Sequence, residues 1–158
     1  MKTVRRILFV CMGNICRSPS AEGIFKELAF NYPELQSLEI DSCGTIGHHV
    51  GETADSRSIE AAKNRGYDLS NIRSRKIDNN DLEHFDLILA MDLDNLNKIH
   101  QLDLDNMHRD KIRLFLKYSS QDNITCIPDP YYGGHSGFND VIDLIEDASR
   151  GLIKKLLK

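Results

Sequence analysis

The chain has 158 residues, 41% hydrophobic and 28% charged, enough for a single domain spanning 1–158 around a substantial core. A formal net charge of -4 excludes the positive field that nucleic-acid binding needs, so any phosphate recognised here is recognised locally. Apolar runs are far too short to span a membrane, and the start Met1-Lys2-Thr3-Val4-Arg5-Arg6 lacks the apolar core of a signal peptide, which points to the cytoplasm and to reduced thiols at Cys11, Cys16, Cys43 and Cys126.

In chain order, Val4 to Val10 carries the β-branched and aliphatic residues of a buried strand. The segment Cys11 to Ser18, C-M-G-N-I-C-R-S, follows as a tight loop, in which Gly13 and Asn14 tolerate unusual backbone angles and Ser18-Pro19 reads as helix N-cap and N1. Ala21, Ile24, Phe25, Leu28 and Ala29 then form one apolar helical stripe ending before Pro33. Leu38 to Cys43 reads as a second strand, Asp55 to Arg65 as a helix stopped by Gly66, and Phe85 to Met91 as a third strand. Asp92 to about Leu104 returns to helix, Ile112 to Phe115 is a short fourth strand, and Phe138, Val141, Ile142, Ile145, Ala148 and Leu152 stripe a long last helix. Alternation of this kind favours a parallel sheet covered by helices on both faces, an α/β/α sandwich with right-handed crossovers. Ligands collect at the strand carboxyl ends, where Cys11, Ser42 to Thr45 and Met91-Asp92 fall.

Four cysteines and ten arginines would give a C-x5-R spacing by chance in roughly one such chain in four, so the spacing needs its context. A bare match also fits a small buried cysteine beside a surface arginine and a helix cap. Gly13, Asn14 and Pro19 favour instead an anion nest: backbone N–H groups of residues 12 to 17, the start of a helix and the Ser18 hydroxyl would together stabilise a Cys11 thiolate or a phosphate. Arg17 would add two parallel N–H bonds to phosphoryl oxygens, which a lysine cannot copy. Phosphoryl transfer to sulfur also needs a proton donor for the departing oxygen, and Asp129 in Ile127-Pro128-Asp129-Pro130-Tyr131-Tyr132 is the candidate, although by itself that segment also fits a surface turn. No C-x2-C occurs and the six histidines are scattered, so no metal site is expected.

Cys11-Met12-Gly13-Asn14-Ile15-Cys16-Arg17-Ser18-Pro19, followed by Ala21-Glu22 and the distant Asp129-Pro130-Tyr131-Tyr132, resembles the low-molecular-weight protein tyrosine phosphatases. The resemblance spans nearly the whole chain, with Asp41-Ser42-Cys43-Gly44-Thr45, Asp55 to Gly66 and Ala90-Met91-Asp92 falling between its anchors. It implies a four-stranded parallel sheet in the order 2-1-3-4 and a two-step reaction without metal or cofactor. Cys11 would attack phosphorus, Arg17 and the amides of Met12, Gly13, Asn14, Ile15, Cys16 and Ser18 would hold the phosphate, and Asp129 would serve as acid and then as base. Asn14, Ser18 and Ser42 would support the loop, and Met12, His48, Tyr131 and Tyr132 would wall a cleft suited to an aryl phosphate. The partners implied are a phosphotyrosine protein, a tyrosine kinase among the possibilities, with inorganic phosphate as product and a monomeric or weakly self-associating chain. His48 stands where many members have tryptophan, and Ile72 where eukaryotic-type members often have histidine.

Cys16 either fills space beneath the loop or forms a protective disulfide with Cys11. Arg75 and Asp92 either pair to support the loop or are solvated charges. Two other functions fit the same motifs less well. Thioredoxin-linked arsenate reduction needs relay cysteines, absent from Lys76 to His100, which leaves Cys43 and Cys126 as the substitutes. A phosphotyrosine-binding module needs neither the nucleophile Cys11 nor the acid Asp129.

Overall fold

The computed structural model describes residues 3–131 and 135–158. Four parallel strands form one sheet in the order β2-β1-β3-β4: β1 is Arg6–Cys11, β2 Glu39–Gly44, β3 Leu87–Ala90 and β4 Ile112–Leu114. This is the expected order, and it leaves β1 with a neighbour on each side.

Alternation of side chains along a strand divides the interior into two layers. From β1, Ile7, Phe9 and Cys11 face a core shared with α1 (Arg17–Phe30) and α5 (His135–Leu156). Leu8 and Val10 face the opposite core, with Leu82 of α3 (Asn79–His84) and Ile99 of α4 (Leu93–Leu102). The Phe9 ring meets Phe115 edge-on at 5.0 Å and Phe25 at 5.7 Å between centroids, so the middle of β1 is fixed from two directions.

Several boundaries differ from expectation for identifiable reasons. The third strand begins at Leu87 and not Phe85, because the Asp86 carboxylate turns back to accept the N–H groups of Arg5 and Arg6 at 2.8 and 3.0 Å. The helix after the Cys11 loop begins at Arg17, with Cys16 at its N-cap and no side-chain cap, so Ser18 is neither N-cap nor followed by an N1 proline. Its hydroxyl is engaged with Cys11 instead. Helix α2 is Ser56–Lys63, capped by the Asp55 side chain, and Gly66 beyond it adopts φ +90°. Helix α3 was not expected. Its six residues are too few to show a period, but Asp78 and Asp81 form a reciprocal capping box around its first turn.

Helix α5 crosses the 3-10 turn Phe115–Tyr118 at Gly151, where a Cβ would stand 1.8 Å from the Tyr118 carbonyl oxygen. Alanine gains ~1 kcal/mol in helix propensity, whereas forcing a carbon into packed backbone costs ~1–3 kcal/mol or more. The contact is too close for propensity to prevail. Gly151→Ala should lose about 2 kcal/mol net and lower the melting temperature by roughly 4–8 °C. An unchanged or raised melting temperature would contradict this packing.

Candidate active site

Cys11 ends β1 with its side chain turned inward, 3% exposed, and residues 12–16 loop from it into α1. The loop's carbonyls are drawn outward by neighbouring segments. Thr45 N–H donates to Cys11 O (2.9 Å), Ile46 N–H to Met12 O (3.1 Å), Ser74 Oγ to Gly13 O (3.0 Å) and Asp55 N–H to Ile15 O (2.7 Å). In a trans peptide the N–H points opposite to the preceding C=O. The N–H groups of Met12, Gly13, Asn14 and Cys16 are therefore aimed into the loop, and that of Asn14 donates to Cys11 Sγ at 3.3 Å. The uncapped start of α1 opens beside this nest, an arrangement that favours an anion. At Gly44, a Cβ would lie 2.5 Å from Met12 O, so glycine lets the end of β2 press against the loop.

The left-handed residue of the loop is Asn14, at φ +58°; Gly13, expected to share that role, does not have positive φ. The strained asparagine is 1% exposed and braced on all sides. Its Nδ2 donates to Ser18 Oγ (2.7 Å) and Ser42 Oγ (3.0 Å), and its Oδ1 accepts the Arg75 N–H (3.0 Å). Ser18 Oγ, which accepts from Asn14, lies 3.0 Å from Cys11 Sγ and 3.3 Å from Cys43 O, so its proton is within reach of a thiolate formed at Cys11. Behind this pair the Ser42 hydroxyl donates to Glu22 Oε1 at 2.7 Å. Glu22 had no assigned role from sequence, and burial raises its pKa, partly offset by the Ser42 bond. Asn14, Ser18 and Ser42 thus form one hydrogen-bonded group beside the sulfur.

Arg17 is 2% exposed. Its Nη1 donates to Asp92 Oδ2 and to Ile127 O (3.0 Å), and its Nη2 lies 3.6 Å from Asp129 Oδ2. Burial alone would lower its pKa, but electrostatic attraction to Cys11, Asp92 and Asp129 outweighs burial and raises it, so the guanidinium stays charged. The anticipated Arg75–Asp92 pair does not form. Arg75 closes the β2 edge of the sheet, where Gly44 N–H donates to its carbonyl, and its guanidinium bonds Asp81 and Asp41 at 3.0 Å each. Asp92 follows β3, on the other side of β1, where it caps α4 through Asn95 N–H (2.7 Å) and holds Arg17.

Asp129 arrives on a segment pinned to the end of β3, since Ile127 N–H donates to Met91 O at 2.8 Å. Its Oδ1 accepts the Tyr131 N–H at 3.0 Å. Cys11, Met12, Gly13, Ile15, Cys16 and Arg17 line a cleft of about 370 Å³, walled by Ile46, His48, His49, Asp129 and Tyr131. Met12, His48 and Tyr131 are where the cleft was expected to have walls; Tyr132 lies outside the described residues. Ile46 and His49 were missed, although His49 reaches Tyr131 with ring centroids 6.5 Å apart and Glu52 through Nδ1 at 2.7 Å. Their only sequence signal was proximity to His48.

Cys16 lines the cleft from below. Burial pushes its thiol up to about 12, with a Ser58 hydrogen bond offsetting part of that rise. Burial likewise raises Cys43. Among the described residues, no group of three or more His, Cys, Asp or Glu is arranged to hold a metal ion, and no helix is long and apolar enough to cross a membrane.

A family profile described as low molecular weight phosphotyrosine protein phosphatase matches residues 6–158. The low molecular weight phosphotyrosine protein phosphatase of Schizosaccharomyces pombe is 40% identical over 156 residues, covering 96% of each chain. Among solved structures, the protein tyrosine phosphatase of Entamoeba histolytica with Hepes in its active site aligns at a TM-score of 0.88 with 42% identity, covering 96% of each chain. Wzb of Vibrio vulnificus in complex with benzylphosphonate aligns at 0.84 with 31% identity, covering 97% of this chain and 99% of that one. The sheet order, the thiol in its anion nest and these matches agree: the chain belongs to the low molecular weight phosphotyrosine protein phosphatase family and is an enzyme of the protein-tyrosine-phosphatase class.

Proposed function

We propose that the chain hydrolyses phosphotyrosine in proteins through a phosphocysteine at Cys11, with Arg17 clamping the phosphate and Asp129 moving the proton. The observation that carries this reading is the convergence of a buried sulfur, inward-facing loop amides, a buried arginine and a carboxylate on one cleft. Phosphate entering the nest takes over the Arg17 Nη2 now 3.6 Å from Asp129 Oδ2, which frees the carboxyl group to face the ester oxygen. The Sγ–P bond forms as the P–O bond breaks, and protonated Asp129 gives its proton to the departing phenolate. Water then attacks phosphorus, Asp129 takes a proton from it, the S–P bond breaks and inorganic phosphate leaves. Ser18 and the Asn14 N–H receive the returning thiolate.

A sulfur at the floor of a cleft walled by Tyr131, His48 and His49 suits a flat aryl ester with the reach of a tyrosine side chain. The benzyl-borne phosphonate in the structurally similar Wzb has that shape. Phosphotyrosine proteins, tyrosine kinases among them, are accordingly the substrates, met in the cytoplasm where thiols stay reduced and by a monomeric or weakly self-associating chain. Arsenate reduction is disfavoured, because the relay needs further reachable thiols, and of the two candidates Cys43 is fully buried on the face of the sheet away from Cys11, which leaves only the half-buried Cys126.

Cys16 is the natural resolving thiol if peroxide oxidises Cys11 to the sulfenic acid. Attack of its sulfur on Cys11 Sγ would expel water and close a disulfide. Its raised pKa leaves Cys11 as the first to react.

With 4-nitrophenyl phosphate, the wild type should turn over in the presence of EDTA, Cys11→Ser should be inactive and Asp129→Ala should fall ~10²–10⁴-fold. Turnover surviving Cys11→Ser, or abolished by EDTA, would overturn the reading. Peptide mass spectrometry after limited peroxide should find Cys11 joined to Cys16; sulfinic acid at Cys11 as the first product would exclude the protective link.

A further inference from the structure

Asp129 can act only if its loop is held at the right height over Cys11, and one arginine outside the cleft lining connects the two. Asp55, the N-cap of α2, is tied to the nucleophile loop by its N–H bond to Ile15 O at 2.7 Å. Its carboxylate receives Arg57 Nε at 3.0 Å and Nη2 at 2.9 Å, which locks the guanidinium as a two-pronged fork. The same Nη2 donates to Tyr131 O at 3.1 Å. The guanidinium carbon also lies 5.4 Å from the centroid of the Tyr131 ring and 4.7 Å from that of Phe138 in α5. Tyr131 in turn gives its N–H to Asp129 Oδ1. An unbroken chain therefore runs from Ile15 through Asp55, Arg57 and Tyr131 to the acid.

We propose that Arg57 is the positioning residue for Asp129, fastening the acid's loop to the nucleophile's loop through the Tyr131 carbonyl. The inference rests on the Cys11–Asp129 mechanism and deepens it. Ile127, held by Met91 and Arg17, fixes the near end of the segment, and Arg57 fixes the far end, two residues past the acid. Lysine would be a poor substitute, because a single ammonium cannot reproduce the planar fork that meets Asp55 and Tyr131 O at once.

A misplaced acid has a kinetic signature that general structural damage lacks. Phenol is a poor leaving group and needs its proton, whereas 2,4-dinitrophenolate departs without one. In Arg57→Met, which keeps an apolar chain over Phe138, kcat/KM for phenyl phosphate should fall about tenfold or more, while that for 2,4-dinitrophenyl phosphate should change by less than about threefold. Arg57→Lys should show the same imbalance to a smaller degree, and it carries the test if Arg57→Met does not fold. In an Asp129→Ala background, Arg57→Met should cost phenyl phosphate hydrolysis less than about twofold further, because the group it positions is already gone. Equal losses on both esters, no loss on either, or full additivity with Asp129→Ala would overturn the proposal. Failure of the underlying mechanism would look different: 2,4-dinitrophenyl phosphate would still be hydrolysed by Cys11→Ser.

Discussion

The site depends on a single asparagine held where asparagine is uncomfortable. Asn14 takes a left-handed backbone, at a cost of about 1–2 kcal/mol for a residue with a Cβ. Three side-chain hydrogen bonds, to Ser18, Ser42 and the Arg75 N–H, offset that cost at about 0.5–1.5 kcal/mol each. They join α1, β2 and the segment before α3 to one side chain, so the loop cannot relax without breaking bonds to three other parts of the fold. The Asn14 N–H and the Ser18 hydroxyl are aimed at Cys11 Sγ as a result. Preorganised donors of this kind stabilise an anion without reorganising when it forms.

The sheet order explains why the remaining groups arrive at the same place. With β1 in the middle, the ends of β2 and β3 flank Cys11. The β2 side contributes Ser42 and, through Gly44, the close approach that shapes the loop, while the β3 side contributes Asp92 and anchors Ile127. Arg17 crosses between them and is the only described residue whose charged group contacts both Asp92 and Asp129. Division of labour follows from burial. Burial raises the thiols of Cys16 and Cys43, which favours their protonated form.

The sheet and its major helices were legible because alternating strand and helix periods in a chain of this length leave few topologies. Cys11, Arg17 and Asp129 were legible from motif and resemblance, and the structure brings all three to one cleft. Local rules fail where a long-range partner competes. Ser18 fits both a helix cap and a hydroxyl beside Cys11, and in the fold it is only the second, with Cys16 at the N-cap. Arg75 and Asp92 looked complementary, but β1 stands between their positions, and each found a nearer partner. Glu22 and Arg57 gave no local signal of these roles, since the partners that define them, Ser42 and Tyr131, lie 20 and 74 positions away, and His49 had only its place beside His48.

If phosphorus passes through the Cys11 sulfur, the phosphocysteine can be sought directly. Quenching the enzyme in alkaline denaturant within milliseconds of mixing with a saturating aryl phosphate, followed by peptide mass spectrometry, should find one phosphoryl group on the peptide containing Cys11 and none on peptides containing His48 or His49. A phosphoryl group on either histidine, or phosphate release with no labelled peptide under conditions where dephosphorylation limits turnover, would contradict the account.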